Sequence, residues 1–244
     1  MKNQIRKLFA ALGYEVRGTR MIPRQLLQPE LLRPLEFDDV VCRRMFEAGE
    51  ELKFIQVGAF DGLVQDPLRK YIVQCGWCGV MVEPQPGPAH RLRELYRDNG
   101  RITVLQAAVD WQAGTRAFFT VNSHKAPAWA GALASFDKSV ILKHADKIPG
   151  LGQMINEVSV DCITFASVLD HMAEGDLDLL QIDAEGGDAV ILSLFPFERV
   201  KPAIVHWEIR HLSVWEREGC LELLARHGYQ FATSGSQDML AVRG

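Results

Sequence analysis

The stretch FIQVGAFDG, residues Phe54–Gly62, joins a short apolar run to a glycine-rich turn. The run is typical of a buried strand, and Gly58 and Gly62 permit the tight backbone of a turn. Their G-x-x-x-G spacing differs from the G-x-G-x-x-G of nicotinamide-binding turns and from the G-x-x-x-x-G-K-S/T of phosphate-binding loops. Asp61 also disfavours a pyrophosphate beside the turn, because like charges repel. The turn therefore favours a ligand with a positive group, such as an ammonium or a sulfonium.

Strand and helix patterns alternate from Lys53 onward. Continuous apolar strands separated by helical segments indicate a parallel sheet that is covered on both faces. The runs YQFAT and DMLAV flank Ser-Gly-Ser near the end of the chain and predict an antiparallel hairpin. The sequence therefore predicts a doubly wound α/β sheet, mostly parallel, with an antiparallel C-terminal hairpin. Its strands are expected over 54–58, 79–83, 102–109, 177–183 and 203–209.

Two segments depart from this alternation. Residues 1–50 predict a helical extension to the main domain of 51–244, with one helix in IRKLFAALGY that ends at Gly13 and a second over Asp38–Ala48. Residues 114–169 predict an insertion with two extra strands, RAFFTV and EVSVDCI, and a link, SHKAPAWAGALAS, that suits a lid over substrate.

The basic N-terminal helix has two possible roles. The first 24 residues carry six basic side chains and one acidic side chain. The favoured interpretation is a solvated helix that packs on the main domain. The alternative is a weak contact with an anionic membrane surface.

The composition limits the classes of function. The 244 residues are 48% hydrophobic and 24% charged, which is typical of a globular protein, and the net charge of −4 does not favour a nucleic-acid partner. No apolar run reaches the ~18 residues of a membrane span, and the N-terminus lacks the pattern of a secretion signal. Five scattered cysteines suit reduced thiols, so we expect a cytoplasmic protein. The pair Cys75 and Cys78 has no second metal-binding pair nearby, so a packing role is expected.

The second predicted strand ends in an acidic residue, Glu83, which Pro84 follows. Glu83 comes about 20 residues after Gly62, the distance at which an acid commonly binds the ribose hydroxyls of an adenosine ligand. The order of strand, turn, helix, strand and acid therefore predicts an adenosine-bearing cofactor.

Six segments of the chain, taken in order, resemble the FkbM family of S-adenosylmethionine-dependent methyltransferases. They are VGAFDG, DPL, GWCGVMVEPQP, LQAAV, LQIDAEGGD and HWEI, and they extend over about Lys53 to Val242. IDAEGGD is the most specific segment, although Asp188 stands where the family usually has glutamate. The resemblance implies a Rossmann-like class I methyltransferase sheet, with S-adenosylmethionine as the cofactor.

The resemblance also implies a reaction and a class of acceptor. FkbM members methylate hydroxyl groups, often of sugars, glycans or polyketide-type natural products, so the expected partner is a small-molecule or glycan acceptor. Two alternatives remain at this point, a NAD(P)-dependent oxidoreductase on a similar sheet and a domain that binds the cofactor but has lost catalysis.

The resemblance assigns roles to the ends of the strands. The turn from Gly58 to Gly62 would hold the methionine part with Asp61 facing its ammonium, Glu83 would bind the ribose, Gln106 to Ala108 would flank adenine, and Asp183 would face the methyl group. The implied cofactor-binding residues are Gly58, Ala59, Asp61, Gly62, Glu83, Pro84, Gln106, Ala107, Ala108 and Asp183.

Four residues after the fourth and fifth strands are candidates for a catalytic base: Asp183, Glu185, Glu208 and His211. Asp183 and His211 are favoured. Asp183, Glu185 and Glu208 also form a possible magnesium site, because carboxylate oxygens are the usual ligands of that ion.

Structural roles compete with these catalytic ones. Glu185 could cap the next helix, and Glu208 could pair with Arg199 or Arg210. His206 lies within an apolar strand and is expected to be a core histidine. The aromatic residues Trp129, Phe136, Trp207 and Trp215 are candidates to line an acceptor pocket.

Overall fold

The computed structural model describes residues 14–17, 20–23, 34–122, 126–172 and 175–243. The described helices are α1 (Phe37–Ala48), α2 (Arg69–Cys75), α3 (Pro86–Leu95), α4 (Lys138–Leu142), α5 (Phe165–Leu169), α6 (Asp188–Leu194) and α7 (Val214–Arg226), with 3-10 helices at Ala128–Ala132 and Leu151–Gln153. The described strands are β1 (Tyr14–Arg17), β2 (Arg20–Pro23), β3 (Lys53–Val57), β4 (Cys78–Val82), β5 (Ile102–Leu105), β6 (Ala108–Val109), β7 (Gly114–Val121), β8 (Ala134–Ser135), β9 (Ile155–Ile163), β10 (Leu179–Ile182), β11 (Ile204–Glu208), β12 (Tyr229–Ser234) and β13 (Asp238–Arg243).

Seven strands form the main sheet, in the order β12-β13-β11-β10-β3-β4-β5. The central strands are parallel, and β13 runs antiparallel to both β11 and β12. The chain moves outward from β3 to β5 and then returns to place β10 on the other side of β3. This reversal is the topological switch of a doubly wound sheet, where ligands bind beyond the carboxyl ends of the strands. The predicted Rossmann-like sheet with its antiparallel hairpin is confirmed.

A smaller sheet stands beside the switch, in the order β6-β9-β7-β8. The two extra strands predicted within the insertion are β7 and β9, which pair antiparallel from Gly114 opposite Cys162 to Val121 opposite Ile155. The single strand predicted over 102–109 is wrong in one respect. The chain leaves the main sheet after Leu105, because Ala108 and Val109 pair with β9 instead.

The N-terminal extension is helical only in part. The second predicted helix is confirmed as α1. The first predicted helix lies outside the described residues, and so do most of the basic residues among the first 24. Residues Tyr14–Arg17 and Arg20–Pro23 form an antiparallel hairpin rather than helix. The reason is visible in the sequence, because Tyr14 and Val16 alternate with polar residues and two residues including Gly18 separate the runs. Among the described residues, no helix combines the length and the hydropathy needed to cross a membrane.

The main sheet buries apolar side chains on both faces, as the continuous apolar strands predicted. Alternate residues of one strand serve the two sides, so Ile55 belongs to one core cluster and Phe54 to the other. Helices α1, α2 and α3 cover the Phe54 side, where Trp77 is fully buried and stacks on Tyr71 with ring centroids 4.6 Å apart. Helices α5, α6 and α7 cover the opposite side.

Two observations complete this part of the fold. Helix α1 is tied to the sheet by Asp178, whose carboxylate accepts hydrogen bonds from the Arg44 guanidinium at 2.7 and 2.8 Å and from the Lys53 main-chain N–H at 2.9 Å. The two cysteines lie on different elements, since Cys75 is the last residue of α2 and Cys78 is the first residue of β4. Both thiols are free.

Gly58 follows β3 and touches the main chain of the loop after β10. Its φ is +83°, and a Cβ added there would lie 1.7 Å from the carbonyl oxygen of Asp183. Only glycine permits this approach, because any larger residue would force the two strand ends apart.

We predict that Gly58→Ala lowers the free energy of unfolding by more than about 1 kcal/mol, since the new methyl group meets a carbonyl and the positive φ disfavours alanine. The matched control is Gly219→Ala in α7, where an added Cβ meets no described atom within 4 Å. That substitution should leave stability unchanged or raise it by about 0.5–1 kcal/mol. Urea unfolding followed by circular dichroism measures both, and equal stabilities of the two variants would contradict the prediction.

Candidate functional site

A cavity of about 680 Å³ opens at the carboxyl ends of the parallel strands, at the switch between β3 and β10. The smaller sheet, the 3-10 helix Ala128–Ala132 and α4 contribute its outer wall. Predicted site residues that line it are Gly58, Ala59, Glu83, Pro84, Ala107, Ala108, Asp183, Glu185 and His211. The sheet therefore brings most of the predicted site together, as the shared edge of parallel strand ends requires.

Glu83 fastens the glycine turn to the end of β4. One of its carboxylate oxygens accepts the Phe60 N–H at 2.9 Å and the other accepts the Gln85 N–H at 2.8 Å. The main-chain N–H groups of Gly58 and Ala59 donate to the carbonyl of Val82. Each Glu83 oxygen keeps a further lone pair for a ligand, because a carboxylate offers about four acceptor positions.

Burial changes the protonation behaviour of Glu83. The residue is 3% exposed, and desolvation raises its pKa to about 7, although the N–H donors of Gln85 and Phe60 act in the opposite direction. This acid therefore titrates near neutral pH.

Asp61 and Gly62 are not brought to the cavity, contrary to the prediction. One Asp61 oxygen accepts the N–H groups of Leu63 and Val64 at 3.1 and 3.2 Å, and the other lies 3.5 Å from Nε of Arg91. The N–H groups of the tight turn have taken the carboxylate that was expected to face a ligand's ammonium. Gly62 makes space for α3, since a Cβ there would lie 2.6 Å from the Leu92 side chain.

Gln106 is also misplaced by the prediction. Its side chain is exposed and accepts a hydrogen bond from the Arg93 guanidinium at 3.0 Å. The neighbouring Ala107 and Ala108 do line the cavity. The difference arises because the chain turns away from the main sheet after Leu105, which leaves Gln106 on the outside.

The loop after β10 is organised by Asp188. This residue is 1% exposed, and its two oxygens accept the N–H groups of Ala184 and Gly186, each at 3.1 Å. Asp188 is the acid in the first turn of α6, and neither it nor Glu185 caps that helix, since the N-cap Gly187 makes no side-chain capping bond. Glu185, with a φ of +46°, instead directs its carboxylate to within 3.3 Å of Nε2 of His211.

Several acidic residues lie close to one another around the end of β10. Desolvation by the surrounding cavity walls, followed by the proximity of Asp188 and Glu185, raises the pKa of Asp183 well above its usual range, although the residue itself is open to the cavity. Burial, followed by the proximity of Asp183, raises the pKa of Glu208 to about 9. Within the described ranges Glu208 forms no ion pair with Arg199 or Arg210, and one of its oxygens lies 3.9 Å from Nε2 of His211. Glu208 stands outside the lining of the cavity. The wall around Asp183 therefore favours a cationic ligand.

His144 is the main site residue that the sequence patterns did not indicate. It follows α4 in the insertion, is 4% exposed, and lies with its ring centroid 5.3 Å from that of His211. Burial and the neighbouring His211 lower its pKa. No signal could have identified it, because its position depends on how the insertion packs.

The predicted magnesium set of Asp183, Glu185 and Glu208 is not the group that the structure assembles. Across the described part of the chain, a single trio of metal-binding side chains offers ligand atoms within 4.8 Å of one another, and it is formed by His144, Glu185 and His211. The difference arises because Glu208 stands outside the cavity lining, while Asp188 holds the loop so that Glu185 faces the two histidines.

The four candidate aromatic residues separate into two groups. Trp129 and Phe136 line the cavity, and the Arg116 guanidinium lies 4.3 Å from the ring centre of Phe136. Trp207 is fully buried in the core, and Trp215 lies outside the cavity lining. His206 is a core histidine as expected, since its Nδ1 lies 2.6 Å from the Gln181 side-chain oxygen and burial lowers its pKa to about 4.

The chain is similar to several solved structures. The chain is similar to a methyltransferase FkbM of Methylobacillus flagellatus KT, with 14% identity over 87% of this chain and 48% of that one, and a TM-score of 0.48. It is also similar to an SAH-bound methyltransferase of Podospora anserina (10% identity, 84% and 78% covered, TM-score 0.40) and to the N-terminal domain of human METTL16 in complex with SAH (9% identity, 84% and 66% covered, TM-score 0.43). The chain spans about half the length of the Methylobacillus structure.

No curated protein matches the chain significantly. A family match is decisive, however, because the family described as Methyltransferase FkbM domain matches residues 56–231, which is well over half of the chain. The protein belongs to the FkbM family of methyltransferases.

Proposed function

We propose that this protein transfers a methyl group from S-adenosylmethionine to a hydroxyl oxygen of a sugar, glycan or polyketide-type natural product. One observation supports this most directly. A single cavity joins the turn held by Glu83 to the Asp183 carboxyl, which is open to the cavity, and to a wall of aromatic and histidine side chains. The family assignment favours this reaction over the nicotinamide-dependent oxidoreductase that the fold alone would also permit.

The residues at the strand ends suit the cofactor. Gly58 lets the main chain after β3 approach the loop after β10 closely, and the spare lone pairs of Glu83 suit two ribose hydroxyls. The small residues Ala107 and Ala108 provide a flat apolar surface suited to an adenine ring. When bound, S-adenosylmethionine supplies a methyl group on a sulfonium, which departs as a neutral thioether.

Asp183 is our proposed base. It lines the cavity at the end of β10, between the cofactor half and the acceptor half. The raised pKa makes the ionised Asp183 a stronger base than an ordinary carboxylate, and the positive charge of a bound sulfonium would favour that ionised form, so an Asp183 oxygen is suited to take the proton of the acceptor hydroxyl. The cavity walls would exclude water and orient that hydroxyl.

The acceptor half suits a small hydroxylated molecule. Trp129 and Phe136 offer aromatic faces of the kind that stack on sugar rings. The excess of carboxyl groups around Asp183 opposes a polyanion, so we expect no nucleic-acid substrate. The five free cysteines suit a reducing compartment, and we propose the cytoplasm.

We predict that S-adenosylhomocysteine binds the protein in calorimetric titration and that Glu83→Ala weakens this binding at least about tenfold, because charge-assisted bonds to the ribose and the anchor of the turn are lost. NADH should give no signal. The control is Glu94→Ala, which removes a carboxylate of α3 that forms an exposed ion pair with Arg97. This variant should bind S-adenosylhomocysteine normally. Binding of NADH without binding of S-adenosylhomocysteine would overturn the proposed cofactor.

Affinity for S-adenosylhomocysteine should also rise with pH. Only the ionised Glu83 can accept two ribose hydroxyls, and its pKa is about 7. At pH 6 only about a tenth of the protein carries that form, so affinity should be up to about tenfold weaker than at pH 8. Glu83→Gln should flatten this dependence in the same titration. An affinity that stays constant from pH 6 to pH 8 in the unmodified protein would contradict this role for Glu83.

We predict that Asp183→Asn lowers kcat by roughly 10²–10⁴-fold while S-adenosylhomocysteine still binds, because the amide cannot take the hydroxyl proton. Formation of S-adenosylhomocysteine in the presence of a panel of monosaccharides, glycosides and hydroxylated polyketides measures turnover. Normal turnover in the variant would exclude Asp183 as the base. Cofactor binding by the unmodified protein without turnover on any of these acceptors would favour a domain that has lost catalysis.

A further inference from the structure

The acceptor end of the cavity contains a cluster of two histidines and one glutamate, formed by His144, Glu185 and His211. Their ligand atoms lie within 4.8 Å of one another, and Nε2 of His211 is 3.3 Å from a Glu185 oxygen. All three residues line the cavity. We propose that this cluster binds a divalent transition-metal ion.

The distances are close to those of a metal site without an ion. Bonds from zinc to nitrogen and oxygen ligands are about 2.0–2.2 Å long, so two ligands of one ion lie roughly 3 to 3.5 Å apart. The Glu185–His211 pair already has that separation. Small side-chain rotations of His144 would bring the third ligand into range, and its ring already faces that of His211 with centroids 5.3 Å apart.

The two histidines have unsatisfied nitrogens that point to a missing ligand. Nε2 of His144 and Nε2 of His211 are both buried, and within the described part of the chain neither has a hydrogen-bond partner. His144 is 4% exposed, and the His211 side chain is 5% exposed. Buried polar atoms are normally paired, so two such nitrogens beside one carboxylate call for a common partner.

The surrounding main chain holds the three side chains in place. Asp188 fixes the loop that carries Glu185, through its bonds to the N–H groups of Ala184 and Gly186. Nζ of Lys143 donates to the carbonyl of His211 at 3.2 Å, which ties the end of α4 to the loop after β11. Two separate parts of the fold are therefore joined at this cluster, and positioned ligands of this kind characterise metal sites.

The local charge also suits a cation. A Glu208 oxygen lies 3.9 Å from Nε2 of His211, and Asp183 ends the same strand that leads to Glu185. Lys143 and Arg210 contribute positive charge to the same wall. The three acidic residues near His211 outnumber these two basic residues, which favours a cation over an anion at this end of the cavity.

The ligand types point to the kind of ion. Imidazole suits zinc, iron, copper and nickel, whereas magnesium takes oxygen ligands almost exclusively. Three protein ligands leave at least one position free on the ion, and the cluster faces the cavity. If the proposed methyl transfer is correct, that position would hold an acceptor oxygen and lower the pKa of its hydroxyl, which then gives its proton to Asp183.

The test uses tag-free protein treated with EDTA and then titrated with Co²⁺, Zn²⁺ and Mg²⁺. The visible absorption of Co²⁺ reports coordination by nitrogen, and calorimetry reports the affinities for Zn²⁺ and Mg²⁺. We expect Co²⁺ and Zn²⁺ to bind in a 1:1 ratio and Mg²⁺ to bind far more weakly. His144→Ala, His211→Ala and Glu185→Gln should each weaken Co²⁺ binding by at least about tenfold, because even the outer partners of metal ligands contribute 10- to 100-fold. His90→Ala removes an exposed histidine on α3 and should have no effect.

The same preparations are titrated with S-adenosylhomocysteine. Loss of Co²⁺ binding with normal binding of S-adenosylhomocysteine shows that the variant is folded and supports the metal site independently of methyl transfer. Equal Co²⁺ binding by all variants, no Co²⁺ binding by the unmodified protein, or preference for Mg²⁺ would each overturn the proposal. If one alanine variant fails to fold, the nearly isosteric Glu185→Gln decides the same question.

Discussion

Gly58 lies so close to the loop after β10 that an added Cβ would stand 1.7 Å from the Asp183 carbonyl oxygen. This approach sets the separation of the two strand ends at the switch of the sheet. Glu83 then holds the turn from the other side through the N–H of Phe60. The opening between β3 and β10 is thus defined by main-chain contacts, which side-chain changes elsewhere would leave intact. The remaining parts of the site are arranged around that opening.

The electrostatics of the opening work against the stability of the protein without a ligand. Desolvation by the surrounding protein raises the pKa of Asp183 and Glu208, so keeping either group ionised costs free energy in the folded state. A cationic ligand reduces that cost, and its binding therefore stabilises the folded protein. A sulfonium and a divalent ion satisfy the same requirement in neighbouring parts of the cavity. The closely spaced acids that lower the stability of the unliganded protein are therefore the groups that would select a cationic ligand.

The sequence predicted the features that depend on local pattern. Apolar runs and glycine signals located β3 and its turn, and the acid after β4 identified Glu83 as part of the site. Prediction from the sequence failed where two groups compete for the same partner. The N–H groups of the turn, for example, donate to the Asp61 carboxylate that was expected to face a ligand. It also failed where distant segments meet. Nothing near His144 in the sequence indicates that it will lie beside His211, since that contact requires the whole insertion to fold against the sheet.

The two halves of the cavity therefore have different origins. The half around Gly58 and Glu83 is formed by the strand ends of the doubly wound sheet, where the backbone constraint leaves little freedom. The half around Trp129 and His144 is formed by the insertion, whose contacts with the rest of the fold include the bond from Lys143 to the loop after β11. Changes to the insertion can alter the acceptor wall without disturbing the contact between Gly58 and Asp183. In a fold that serves many reactions, specificity resides in such added segments. Glu185 belongs to both halves, because it is carried by the sheet's own loop and yet faces the histidine of the insertion, and so it couples the position of the acceptor wall to that of Asp183.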